Sequence, residues 1–219
     1  MGTPDGLAIA MRAAGCTIND MWDKDIDKKI SRTKIRPLAR GEISNLQASF
    51  FLIVMLSIGF ICLYQLNVNT WFVAVSSMPL VILYPLAKRF TKWPQIILGL
   101  TFSWAVPTAW SAASEDWNLG IFIMYLATVF WIIGYDTIYG CQDKNEDEIF
   151  GIKNSAVSAK NFLALFVGCT YSLMFILLII SGYLLNNSNF WYVGVSICGL
   201  HLVKQVIKLK NIELAKKKK

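Results

Sequence analysis

The chain has 219 residues, 55% of them hydrophobic and only 16% charged, with a formal net charge of +7 at pH 7. A soluble domain of this size carries about 25% charged residues. The apolar surplus therefore excludes a soluble globular enzyme, a disordered chain and a disulfide-stapled secreted module. In a soluble protein the basic excess would suggest nucleic acid; here it reads first as a mark of membrane topology, with a lipid bilayer and no nucleic acid as partner.

In chain order, a short first helix is expected over roughly 6–27, apolar at its start and acidic at its end. Six full spans are expected at roughly 46–65, 68–87, 94–113, 117–140, 162–185 and 190–209. Segments of this length cross the ~30 Å hydrocarbon layer as helices. None shows the period-2 alternation of a membrane barrel. The fold class is all-α integral membrane, read as one transmembrane domain over 1–219. The five cysteines are odd in number and form no C-x-x-C pair, so they read as small packing residues rather than disulfides or zinc ligands.

Twenty of the 21 basic residues fall in the segment 22–45, the loops 88–93 and 141–161, and the tail after 203. The intervening loops near 66, 115 and 187 hold none. Alternation of basic and bare loops puts the basic side in the cytoplasm or its organellar equivalent. A bacterial plasma membrane and a mitochondrial inner membrane both fit. No presequence is visible, which inclines the reading to the bacterial one.

Two acidic groups lie on that same side. Asn19, Asp23 and Asp27 are spaced i, i+4, i+8 and form one stripe on a helix, with Asp20 close to it. Stacked carboxylates repel, and at the end of a membrane span the cost is higher, so a cation is expected to compensate. Oxygen ligands suit a hard cation, and Mg²⁺ takes one or two carboxylates together with substrate phosphates. The second group is Asp136, Asp143 and Asp147, at i, i+7, i+11, which share a face if the helix continues past Gly140. Two such faces suit Mg²⁺ ions around a diphosphate, the metal neutralising the leaving group.

Basic side chains complete the candidate site. Arg12 precedes Asn19 by seven residues and shares its stripe, where a lone arginine needs a carboxylate or phosphate partner. Arg32 and Arg36 follow the first group, and Lys88 and Arg89 end the third predicted helix behind Tyr84. Arginine suits bidentate phosphate contacts and lysine acts as a point charge. Anchoring at the membrane surface is the competing role for Arg89 and its neighbours.

The motifs N-D-x-x-D-x-x-x-D at Asn19 to Asp27, R-T-x-x-R-P-L at Arg32 to Leu38, Y-P-x-x-K-R at Tyr84 to Arg89 and Y-D-T-I-Y…Q-D-x-x-x-D at Tyr135 to Asp147 occur in that order. Together they resemble the UbiA superfamily of membrane prenyltransferases, and within it the members that prenylate 4-hydroxybenzoate in ubiquinone biosynthesis. The resemblance implies a multi-helix transmembrane bundle of nine helices, of which this chain carries about seven, the first and last being expected to be missing. It implies that Asn19, Asp23 and Asp27, with Asp136, Asp143 and Asp147 from a facing helix, bind Mg²⁺ and a polyprenyl diphosphate. It implies that Asp23, Asp136, Arg36 and Lys88 carry the catalysis. Arg12, Arg32, Tyr84 and Arg89 join them in holding substrate. Protoheme, homogentisate and naphthoate prenylation share the metal motifs and stay open as acceptor alternatives. A membrane cation transporter is a further class. It is separated by depth, because transporter sites favour the bilayer midplane and these groups sit at span ends.

Overall fold

The structure is a computed structural model describing residues 3–114 and 116–217, with side chains over 6–87, 89–114 and 116–215. Along the described residues run helices α1 (Thr3–Asp27), α2 (Pro37–Arg40), α3 (Asn45–Tyr64), α4 (Val68–Ser76), α5 (Met78–Phe90) and α6 (Pro94–Ser103). They are followed by α7 (Ala105–Ala113), α8 (Leu119–Tyr139), α9 (Lys144–Phe150), α10 (Ser155–Ser158), α11 (Leu163–Leu184) and α12 (Asn189–Lys217). There is no strand among the described residues.

Six stretches are long and apolar enough to cross a membrane: Asn45–Tyr64, Val68–Ala87, Pro94–Ala113, Leu119–Tyr139, Leu163–Leu184 and Asn189–Ala215. These are the six predicted spans, and the protein is an integral membrane protein. Two of them are interrupted, at Ser77 and at Trp104. Proline supplies no N–H and crowds the carbonyl four residues back. Pro79 does this to Val75 and Pro107 to Ser103, and each break falls between the two. Three expected boundaries need correction. The first helix is not short but runs 25 residues. The last extends to Lys217, its lysine-rich end favoured by the helix dipole. The helix carrying Asp136 stops at Tyr139, with Gly140 as its C-cap.

The chain forms two compact units. The first takes the chain up to Leu86 and a short segment beginning at Ser111. In it α1 packs along α3. Ala10 and Ala14 on α1 and Ala48 on α3 are buried, and Gly59 lies so near Met11 that a Cβ would sit 3.0 Å from its sulfur. Ser44 starts α3 with a capping box closed by Gln47. Asn67 caps α4 by accepting from the Thr70 amide at 2.9 Å, and its own amide donates to the Ser111 carbonyl at 2.7 Å.

The second unit takes Ala87–Trp110 and the chain from Asp116 on. Here α8 is central and packs on α6 and α11, and α11 packs on α12. Val129, Ile133 and Tyr125 of α8 form one buried cluster. A second joins Ala156, Leu163, Val167 and Tyr171 to Leu209; Trp93 and Phe166 pack against it, their tilted rings 4.9 Å apart. Outward-facing side chains such as Phe50, Phe60, Leu165 and Phe190 are exposed and apolar, as a lipid-facing surface requires.

Candidate active site

The first acidic stripe occupies the C-terminal end of α1. Asp23 is 1% exposed and Asp27 5%. Burying two carboxylates is costly unless cations or donors face them. Part of the compensation comes from the loop after α1. There Ile30 is buried, and the Thr33 hydroxyl donates to the Asp27 carbonyl at 3.2 Å. Pro37 then forces the preceding residue out of helical geometry, and Arg36 is extended, at φ −61° and ψ 140°. From that bend the Arg36 guanidinium reaches back to α1. Its Nη1 donates to Asp20 Oδ1 and to Asp27 Oδ2, each at 2.8 Å. Burial pushes the Asp27 carboxyl up from its ordinary range and Asp23 repels it further, against the opposing pull of Arg36 and Thr33.

Arg36 leaves other oxygens of the stripe to a different partner. Asn19 Oδ1 is buried and accepts no hydrogen bond among the described residues. It lies one helical turn before Asp23. An unsatisfied buried carbonyl oxygen beside carboxylates is a donor set for a hard, oxygen-preferring cation such as Mg²⁺. Among the described residues no three His, Cys, Asp or Glu come close enough to hold a metal by themselves.

The second acidic group is built differently from the expectation. Because α8 ends at Tyr139, Asp136, Asp143 and Asp147 do not share one continuous helical face. Asp136 lies in the last turn of α8, half-buried. Asp143 is the N-cap residue of α9, and Asp147 lies within that helix. The chain folds back after Gly151, whose positive φ of 67° ends α9. This return brings Asn154 against Gly140. Asn154 Nδ2 donates to Asp147 Oδ2 at 2.8 Å and to the Gly140 carbonyl at 3.3 Å. Its Oδ1 accepts from the Ala156 amide at 2.9 Å and from Gln95 Nε2 at 3.1 Å. Gln95 Oε1 accepts from the Ser155 amide at 3.0 Å, and the hydroxyls of Ser155 and Thr137 share a hydrogen bond of 2.6 Å. Asp147, Asn154, Gln95, Ser155 and Thr137 are all buried. Gln95, Asn154 and Ser155 were not foreseen as site residues. No local motif marks them, since the contact joins positions 59 apart.

The other predicted residues are distributed between the units. Arg12 is exposed and makes no ion pair among the described residues, so the partner expected for it is not found there. Arg32 and Tyr84 are half-buried in the first unit. Arg89 is exposed in the second, and its carbonyl accepts from Lys153 Nζ at 3.0 Å. Lys88 lies on α5, and its side chain is outside the described residues. The acidic groups sit at the ends of α1 and α8, not at the middle of a span where a transporter site would be sought.

The model of the UbiA prenyltransferase family matches residues 6–219. The chain belongs to the UbiA prenyltransferase family. It is 42% identical over 207 residues to the mitochondrial 4-hydroxybenzoate polyprenyltransferase of Drosophila melanogaster, covering 94% of this chain and 53% of that protein. It is 39% identical over 204 residues to the 4-hydroxybenzoate octaprenyltransferase of Francisella tularensis subsp. novicida, covering 93% of this chain and 72% of that one. The chain thus spans about half the length of the Drosophila relative. Among solved structures, the apo UbiA homolog from Aeropyrum pernix K1 superposes with a TM-score of 0.85 at 22% identity, over 98% of this chain and 81% of that one. A UbiA homolog from Archaeoglobus fulgidus bound to DMAPP and Mg²⁺ superposes with a TM-score of 0.76 at 16% identity, over 95% and 76%. These likenesses establish the UbiA fold, and Mg²⁺ binding is a property seen within the UbiA family.

Proposed function

We propose that this chain is a Mg²⁺-dependent aromatic prenyltransferase that moves a polyprenyl group from an allylic diphosphate onto 4-hydroxybenzoate, the ring-prenylation step of ubiquinone biosynthesis. The observation that carries the metal and diphosphate part is the buried stripe on α1, where Asn19 Oδ1 lacks a hydrogen bond next to Asp23 and Asp27. The acceptor part is supported by the names of relatives at about 40% identity. The two units serve one prenyltransferase domain over 1–219.

Asn19, Asp23 and Asp27, with Asp136, Asp143 and Asp147, would hold Mg²⁺ and through it the diphosphate. The metal supplies Lewis-acid neutralisation of the leaving group's charge. Arg36 keeps Asp20 and Asp27 in place. Arg12, Arg32, Lys88 and Arg89 would present positive charge to phosphate oxygens, with Tyr84 four residues before Lys88 in the sequence as a further substrate contact. In the reaction the allylic C–O bond breaks and diphosphate leaves. A carbon–carbon bond then forms at the ring position ortho to the hydroxyl, and that ring carbon loses its proton. Fixed charges aimed at the leaving group lower the barrier more than they would in water, and apolar surroundings keep water from the allylic cation. The lipid-facing surface suits a long prenyl tail. The membrane is the bacterial plasma membrane or the mitochondrial inner membrane.

An acceptor competition tests the substrate assignment. Membranes containing the chain receive an allylic diphosphate, Mg²⁺ and equal amounts of 4-hydroxybenzoate, homogentisate and a naphthoate. Prenylated 4-hydroxybenzoate should dominate. Prenylation of another acceptor alone would keep the family chemistry and replace the substrate.

A further inference from the structure

The buried carboxamides of Asn154 and Gln95 form a device whose polarity is fixed. An asparagine amide can in principle be turned either way. Here each amide is pinned by a backbone N–H, which can only donate. The Ala156 amide donates to Asn154 Oδ1, so Nδ2 must face Asp147 and the Gly140 carbonyl. The Ser155 amide donates to Gln95 Oε1, so Nε2 must face Asn154 Oδ1. All four polar positions of the Asn154 side chain are used, and no competing water is needed in a site where both carboxamides are buried.

Gly140 has a specific part in this. Its backbone is ordinary, with φ −62° and ψ −13°, so conformation alone would accept alanine. The obstacle is Asn154: a Cβ on Gly140 would lie 2.7 Å from both Nδ2 and Oδ1. The bare Cα makes the room in which Asn154 reaches Asp147.

We propose that Asn154, oriented by Gln95 and admitted by Gly140, is a positioning residue that aims the Asp147 carboxylate for Mg²⁺. This rests on the reading of Asp147 as a ligand given above. Groups that hydrogen-bond a metal ligand from behind fix its orientation, and losing one typically costs about 10–100-fold in metal affinity or activity.

The test uses the full chain purified in detergent, with Mn²⁺ binding followed by the loss of the free-ion EPR signal and the thermal midpoint measured on the same sample. Asn154→Ala and Gly140→Ala should each weaken Mn²⁺ binding about 10-fold or more. In the double variant the clash is gone, so the thermal midpoint should recover relative to Gly140→Ala while Mn²⁺ binding stays as weak as in Asn154→Ala. Gln95→Glu is the near-isosteric second variant, serving if either of the others does not fold. It turns the donor facing Asn154 into an acceptor without touching Asp147, and it should weaken Mn²⁺ binding as well. Folded variants that bind Mn²⁺ like wild type overturn the positioning role and leave the proposed function standing. A wild-type chain that binds no Mn²⁺ overturns both. Mn²⁺ binding without prenyl transfer removes the proposed reaction, and the variants still decide whether Asn154 positions Asp147.

Discussion

Replacing Arg36 by glutamine removes a cation that bridges Asp20 and Asp27 at the acidic end of α1. The side chain of Arg36 is 30% exposed, that of Asp20 28% and that of Asp27 7%. Breaking a fully buried ion pair costs ~3–5 kcal/mol, whereas an exposed pair contributes ~0.2–1 kcal/mol. The Arg36–Asp27 contact lies between these limits and, discounted for solvent, amounts to about 2 kcal/mol. The Asp20 contact adds about 0.5 kcal/mol. For a chain of this size the sum corresponds to a fall of about 5–10 °C in thermal midpoint. The measurement is a melt of the detergent-purified protein without divalent cation. Saturating Mg²⁺ should restore part of the loss, since it supplies the positive charge that Arg36 took away. Arg36→Lys keeps the charge and should lose less. A metal-free Arg36→Gln protein that melts with the wild type would show that the carboxylates do not depend on Arg36, and the account of the stripe would fail.

Further expectations follow from the same geometry. Burial raises the Asp27 carboxyl above its ordinary range, so its neutral form persists to a higher pH than that of an ordinary aspartate. Ionisation as the pH rises through that raised value costs stability, while protonation removes a ligand. The Mg²⁺-induced rise in thermal midpoint should therefore be large at neutral pH and shrink on acidification sooner than an ordinary aspartate would allow, as a pH series of melts would show. Gly134→Ala would place a Cβ 2.4 Å from Tyr171 Cε1 and 2.7 Å from Thr170 Oγ1. It should cost ~1–3 kcal/mol by overpacking the α8–α11 contact, visible as a lower midpoint with little change in half-saturating Mg²⁺.

The six spans were legible because each is a long, predominantly apolar run, and hydropathy averaged over such a run does not depend on neighbours. The same averaging concealed the interruptions at Ser77 and Trp104, although Pro79 and Pro107 stood in the sequence as local signals. Gly140 was likewise a visible stop, yet the spacing of Asp136, Asp143 and Asp147 suggested one uninterrupted face. The chain instead turns there and restarts at Lys144. The stripe of Asn19, Asp23 and Asp27 was readable since it lies within one helix. Its compensation by Arg36 was only partly so. The bend at Pro37 is local, but the pairing with Asp20 spans 16 residues. The Gln95–Asn154 link was beyond reach, because amide side chains are common in loops and their pairing is set by tertiary packing.

Two acidic groups on separate helices are proposed to serve one Mg²⁺-dependent prenyl transfer. This is tested most directly in membranes expressing the chain, with labelled 4-hydroxybenzoate, an allylic diphosphate, and either Mg²⁺ or EDTA, alongside Asp23→Ala and Asp136→Ala. Prenylated product is expected with Mg²⁺ and none with EDTA, with a loss of at least about 100-fold in each variant, as follows when a group that stabilises developing charge is removed. Product that persists in EDTA, or that either variant forms at the wild-type rate, would contradict the proposal.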